Sequence, residues 1–147
     1  MQSKTSTWFE TKVRIKRTQE DGQQKFVMES YGVEAVSWTE AEARIAKELQ
    51  NDSGGFEIKD IKKAPYTEVL FSDDTSDDKW YRCKLQLITI DENTEKEKRT
   101  GVTYLVNAST LEKARKHIDE EMGRTMINYV ITSVTETKLL EVFVYDK

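Results

Sequence analysis

The chain has 147 residues, 37% of them hydrophobic and 34% charged, with a formal net charge of −4. That length makes one ordinary domain or two small ones sharing a core, and no run approaches the ~18 apolar residues that a membrane-spanning helix needs. One cysteine (Cys83) and one histidine (His117) exclude an intrachain disulfide and a Cys/His zinc site, and 23 basic against 27 acidic residues leave no overall field that selects nucleic acid.

In chain order, the opening MQSKTSTWFE lacks the apolar stretch of a secretory signal, so a cytoplasmic α+β protein without membrane association is expected. Residues 8–17 alternate, with Phe9, Thr11, Val13 and Ile15 on one face and Trp8, Glu10, Lys12, Arg14 and Lys16 on the other. Period-two alternation predicts a strand with one buried face. Glu20-Asp21-Gly22 is a turn, followed by a strand carrying Val27, Tyr31, Val33 and Ala35 in register. Ser37 and Glu40 form a capping box ahead of a helix with the stripe Trp38, Ala41, Ile45 and Leu49, and Asn51–Gly55 stops it. Residues 56–62 and 66–71 are strand-like, divided by Ala64-Pro65, which suits a bend or an edge.

The order then recurs. Tyr81, Cys83, Leu85 and Leu87 face one way and Trp80, Arg82, Lys84 and Gln86 the other, a polar turn covers Asp91–Glu97, and Val102, Tyr104, Val106 and Ala108 mark the next strand. Ser109 with Glu112 predicts a second capping box, Leu111, Ala114, Ile118 and Met122 a second helical stripe, and Gly123 its C-terminal cap. Strands near 128–136 and 138–145 close the chain.

The recurrence is a repeat. At an offset of 73, Tyr31, Val33, Ala35, Ala41, Ile45, Glu48, Ile58, Glu68 and Val69 fall on Tyr104, Val106, Ala108, Ala114, Ile118, Glu121, Ile131, Glu141 and Val142. Upstream an offset of 72 brings Trp8-Phe9 onto Trp80-Tyr81 and Lys12 onto Lys84. The expected architecture is therefore two tandem β-β-α-β-β repeats with pseudo-twofold symmetry, forming a two-layer sandwich with both helices on one face of antiparallel sheet. Residues 1–71 are the first repeat, 72–79 an acidic linker, and 80–147 the second repeat.

Trp8-Phe9 with Lys12-Val13-Arg14, the helix start Thr39–Ile45, Trp80-Tyr81 with Cys83-Lys84-Leu85, and Ser133–Thr137 resemble an uncharacterised domain family of Bacteroidetes-type bacteria and their phages. The resemblance spans nearly the whole chain. It implies an intracellular origin, on a phage or a mobile element, and brings no activity or catalytic residue with it.

The residues themselves point to a binding surface. Trp8, Lys12, Arg14 and Lys16 share the outward face of the first strand, and Trp80, Arg82 and Lys84 that of its repeat. Aromatics beside cations on an open sheet face can combine base stacking with phosphate neutralisation. The plainer reading is that the open face of a half-covered sheet is polar in any case, and that each Trp closes the end of the core. Asp73, Asp74, Asp77 and Asp78 offer oxygen ligands to a hard cation but lack EF-hand spacing, so a solvated, mobile linker is expected there. His117 lies on a surface helix, Cys83 faces inward, and Glu48, late in its helix, calls for a cationic partner. No nucleophile–base order or phosphate-cradling glycine loop can be assembled. The expectation is a non-enzymatic binding or regulatory module that engages another protein, without cofactor, metal or catalytic residue. The alternative is single-stranded nucleic-acid binding through the aromatic–basic face. The strand near 138–145 offers an edge for homodimer pairing.

Overall fold

The structure, a computed structural model, describes residues 1–51 and 55–145. It is mixed α+β, mostly strand. In order the elements are β1 (Gln2–Thr5), β2 (Trp8–Thr18), β3 (Gln24–Glu34), α1 (Trp38–Leu49), β4 (Phe56–Lys63), β5 (Glu68–Phe71), β6 (Lys79–Ile90), β7 (Glu97–Ala108), α2 (Leu111–Met122), β8 (Asn128–Glu136) and β9 (Leu139–Phe143). The alternation over 8–17 does become a strand, and Gly22 at φ 84° makes the turn that follows. β1 was not anticipated, because four polar residues carry no periodicity. The helix-stopping run 51–55 lies largely outside the described residues.

Two sheets form, one of five strands in the order β1-β5-β7-β6-β8 and one of four in the order β4-β2-β3-β9. Neither is wholly antiparallel as expected, since β5 runs parallel to β7 and β9 parallel to β3. The compact units also differ from the repeats taken whole. One consists of Met1–Thr5 with Tyr66–Thr137, the other of Ser6–Pro65 with Lys138–Lys147. β5 thus lies in the sheet of β6, β7 and β8, and β9 in the sheet of β2, β3 and β4. A strand that follows an edge strand can pair at either sheet, and the alternation pattern reports its face but not its neighbour.

In the four-stranded unit, Ala41, Ile45 and Leu49 of α1 close over Phe9, Val13, Ile15, Tyr31 and Val33. In the five-stranded unit, Ala114, Ile118 and Met122 of α2 close over Tyr81, Cys83, Leu85 and Val106. The predicted stripes are right from their second residue onward. Trp38 and Leu111 are about half exposed instead, because each occupies the first helical position, before the helix has turned onto the sheet. Ser37 caps α1 as predicted, accepting from the Glu40 N–H at 3.1 Å, whereas the Glu40 carboxylate reaches back to the Val36 N–H. The second cap is Thr110, accepting from the Lys113 N–H at 3.1 Å, rather than Ser109. Gly123 does end α2, in a right-handed conformation.

Residues 72 or 73 apart occupy like positions. Tyr81 pairs with Val106 as Phe9 does with Val33, and the register slips at Lys84/Leu85 in one sheet and at Lys12/Val13 in the other. The Trp8 carbonyl accepts from the Ala64 N–H at 2.8 Å, and the Trp80 carbonyl from the Thr137 N–H at 2.9 Å. Glu68 stands opposite Tyr104, and Glu141 opposite Tyr31.

Candidate functional site

The seven residues singled out on the outward strand faces divide. Trp8 is 1% exposed and Trp80 is 7% exposed, so neither ring offers a face to a ligand; Trp80 meets Phe71 edge-on at 5.5 Å. Arg82 is partly buried and engaged in an interaction of its own, and Lys84 is exposed on β6. The remaining three gather on the β2–β3 ladder of the four-stranded unit. Register puts Lys16 opposite Phe26, Arg14 opposite Met28 and Lys12 opposite Ser30, all on the face turned away from α1.

Two residues that sequence reasoning missed complete this face. Phe26 is 48% exposed and Met28 53% exposed. The Arg14 guanidinium carbon lies 3.8 Å from the Phe26 ring centroid, and Lys16 Nζ stands 5.8 Å from it. Among the described residues Lys12, Arg14 and Lys16 form no ion pair. The result is an apolar pair, Phe26 and Met28, beside three cations without an ion pair, although register sets Asp60 opposite Lys12 and Glu57 opposite Arg14 on the neighbouring β4. The clue was available: once Gly22 fixes the hairpin, the phase of Lys12–Lys16 dictates that Phe26 and Met28 lie outward with them.

On the opposite face of the same hairpin, Arg17 Nη2 meets Glu29 Oε1 at 2.8 Å and the Tyr31 hydroxyl donates to that oxygen at 2.7 Å. Burial pushes the Tyr31 hydroxyl up to about 12, with the Glu29 hydrogen bond adding to the effect. Burial would also raise the Glu29 carboxyl, but the bonds from Arg17 and Tyr31 outweigh it and hold the group below its ordinary value. This network ties β2 to β3 beneath the exposed face.

The acidic stretch is not a solvated linker. Asp77 is 6% exposed and receives the Ser72 hydroxyl, Lys113 Nζ at 2.8 Å and His117 Nε2 at 3.1 Å. Lys113 also meets Asp74 at 2.8 Å, and Asn107 Nδ2 donates to the Asp77 carbonyl at 2.9 Å. Burial draws the Asp77 carboxyl up, yet the hydrogen bonds from Lys113, Ser72 and His117 bring it below its ordinary value. The loop is therefore clamped to α2 by the lysine and histidine of that helix, which sequence distance hid. His117, expected on an open helix surface, is consumed by this clamp. No group of three or more metal-ligating side chains converges among the described residues. Cys83 is buried, which pushes its thiol up to about 12. Glu48, for which a cation was expected, instead accepts from the Tyr145 hydroxyl at 2.8 Å.

The fold and this face describe a small α+β domain with two β-rich units and an apolar–cationic patch on one of them. Residues 7–145 match the model of a family described as Domain of unknown function (DUF4494), and the chain belongs to that family. Neither curated proteins nor solved structures yield a match. No helix is long and apolar enough to cross a membrane among the described residues.

Proposed function

We propose that this protein is a non-enzymatic binding module that engages another protein through the outer face of β2–β3. In this reading the chain is a duplication of two β-β-α-β-β halves, each a helix layered on sheet, that exchange their last strands. The matched registers and matched Trp8 and Trp80 carbonyl bonds support it. An intracellular, cytoplasmic setting on a phage or mobile element belongs to the same proposal and rests on the sequence resemblance alone.

The observation that carries the functional reading is the exposed Phe26–Met28 pair under Arg14, with Lys12 and Lys16 beside it. Exposed apolar side chains clustered within a polar rim are how interaction surfaces differ from scattered surface hydrophobes. The three cations, which outnumber the two carboxylates Asp60 and Glu57 that register sets beside them, favour a partner segment that is apolar at its centre and acidic at its ends. The polar side chains that a catalyst would use are bound into structural networks: Asp77 with Lys113 and His117, and Glu29 with Arg17 and Tyr31.

A second reading keeps one specific observation. Phe26 beside Arg14 and Lys16 can stack a base while its neighbours neutralise phosphate, although the two buried tryptophans no longer contribute. Selection from a displayed random-peptide library, with depletion against a Phe26→Ser/Met28→Ser variant, tests the first reading. Enrichment of peptides pairing Asp or Glu with large apolar residues supports it. A failure to enrich anything that distinguishes the native protein from the variant overturns it. Salt-sensitive binding of oligo-dT that is lost on Arg14→Ala transfers the surface to nucleic acid.

A further inference from the structure

β4 is an edge of the four-stranded sheet, paired only with β2. Edge strands present unpaired N–H and C=O groups, which proteins commonly guard with lysine. β4 carries Lys59, Lys62 and Lys63, but it also carries Glu57 and Asp60, and their order is distinctive. Read in opposite directions, Glu57-Ile58-Lys59-Asp60-Ile61-Lys62 is its own complement: Glu57 answers Lys62, Ile58 answers Ile61, and Lys59 answers Asp60.

The backbone permits this register because β4 is irregular. Ala64 N–H bonds the Trp8 carbonyl at 2.8 Å, and Lys16 N–H bonds the Gly55 carbonyl at 3.0 Å. Peptide groups along an antiparallel ladder point alternately toward and away from the neighbour. Counting from Ala64, Ile61 and Lys63 turn away from β2; counting from Gly55, so do Phe56 and Ile58. The register slip opposite Lys12/Val13 absorbs the odd residue between the two counts. Without it, Ile58 and Ile61 would point to opposite edges. With it, both face the open edge.

The same edge borders a cleft of about 200 Å³ lined by Trp38, Glu42, Ile58, Lys59, Asp60 and Ile61. Trp38 is 51% exposed there. Lys59 is paired only with its exposed neighbour Glu57 at 3.1 Å, and Asp60 forms no ion pair among the described residues. The like-placed stretch of β8, the edge of the other sheet, reads Val130-Ile131-Thr132-Ser133-Val134-Thr135 and carries no charge.

We infer that β4 pairs antiparallel with β4 of a second copy of this chain, about a twofold axis normal to the sheet between Lys59 and Asp60. The pairing joins two four-stranded sheets into one. It sets Lys59 against Asp60 and Glu57 against Lys62 twice, and it places both α1 helices on one face, where each Trp38 beside the seam loses exposure. In this one register every edge lysine but Lys63 meets an acid, so the residues that repel a random strand select this one. The surface is distinct from the Phe26 face, and its fate does not decide that proposal.

Sedimentation of the full chain from micromolar to millimolar concentration tests the inference. The native protein is expected to pass from monomer to dimer. Lys59→Asp and Asp60→Lys, each of which opposes like charges twice, should weaken dimerisation about tenfold or more, and the double variant Lys59→Asp/Asp60→Lys should recover it. Emission from the native protein gives a second measure that needs no charge variant. It should move to the red on dilution, and Trp38→Phe should abolish the shift, since Trp8 and Trp80 are buried. A native protein monomeric throughout, a dimer indifferent to either single reversal, or a folded double variant that stays monomeric would each overturn the inference.

Discussion

The backbone N–H of Tyr145 donates to the Glu34 carboxylate at 2.9 Å, just beyond the end of β9. Its counterpart lies 73 residues away in sequence, where the Ser72 N–H donates to the Asn107 side-chain oxygen at 3.4 Å just beyond β5. In each unit a side chain at or next to the end of the central strand anchors the strand that pairs parallel with it. Arg44 reinforces the first of these by donating to the Glu34 carbonyl at 2.6 Å and lying 4.4 Å from the Tyr145 ring centroid.

Asn107 does more than its counterpart, since its amide nitrogen also donates to the carbonyls of Asp77 and Lys79. Asn107→Ala leaves those groups to find water and is expected to cost about 1–3 kcal/mol. A denaturant melt of the variant should show a lower midpoint with an unchanged slope, and an unchanged midpoint would deny the anchor.

Gly32 faces Val142 across the parallel β3–β9 pair, and a Cβ there would come within 3.0 Å of a Val142 methyl. The like position in the other sheet holds Leu105 opposite Val69, so glycine is no requirement of the fold; it suits the closer approach of β9. Gly32→Ala should destabilise by about 1–3 kcal/mol through overpacking, and Gly32→Ala/Val142→Ala should recover part of the loss in thermal melts.

Much of this fold was legible in the sequence and part was not, for identifiable reasons. Alternation over 8–17 and 80–87 and the helical stripes from their second residue onward depend on spacing within the chain, and each produced its element. The departure of β5 and β9 to the opposite sheets did not show, because Val69-Leu70 and Val142-Phe143 present the same apolar character wherever they pair. The Asp77 clamp was hidden similarly: the 40 residues separating Asp77 from His117 make four aspartates look like linker. On the candidate face, charge marked Lys12, Arg14 and Lys16, while Trp8 and Trp80 drew notice as large aromatics although they are buried. The outward phase of Phe26 and Met28 depends on the hairpin register, which local pattern does not carry.

The clamp predicts a pH dependence. Asp77 and Glu29 both titrate lower in the folded chain than their ordinary 3.8 and 4.5. A depressed carboxyl contributes stability that is complete above its unfolded range and is lost as pH falls through the folded one. Unfolding midpoints should therefore decline from about pH 5 downward. Asp77→Asn should be less stable at neutral pH by about 1–3 kcal/mol and decline less steeply in acid; a parallel decline would remove Asp77 from the account.

Cys83 supplies a probe of the core beneath α2. With its thiol buried and pushed up to about 12, it should resist alkylation in the native protein at neutral pH. Labelling should keep pace with global unfolding as denaturant is added. Rapid labelling without denaturant would show that the β6 face opens independently.

The most direct test of the proposed function is residue-resolved. Titration of the labelled protein with an acidic, apolar peptide recovered by selection, followed by amide chemical shifts, should perturb Lys12–Lys16 and Phe26–Ser30 first and most. The Phe26→Ser/Met28→Ser variant should show no such change. Perturbations centred on any other surface, or a variant that binds as the native protein does, would contradict the assignment of this face.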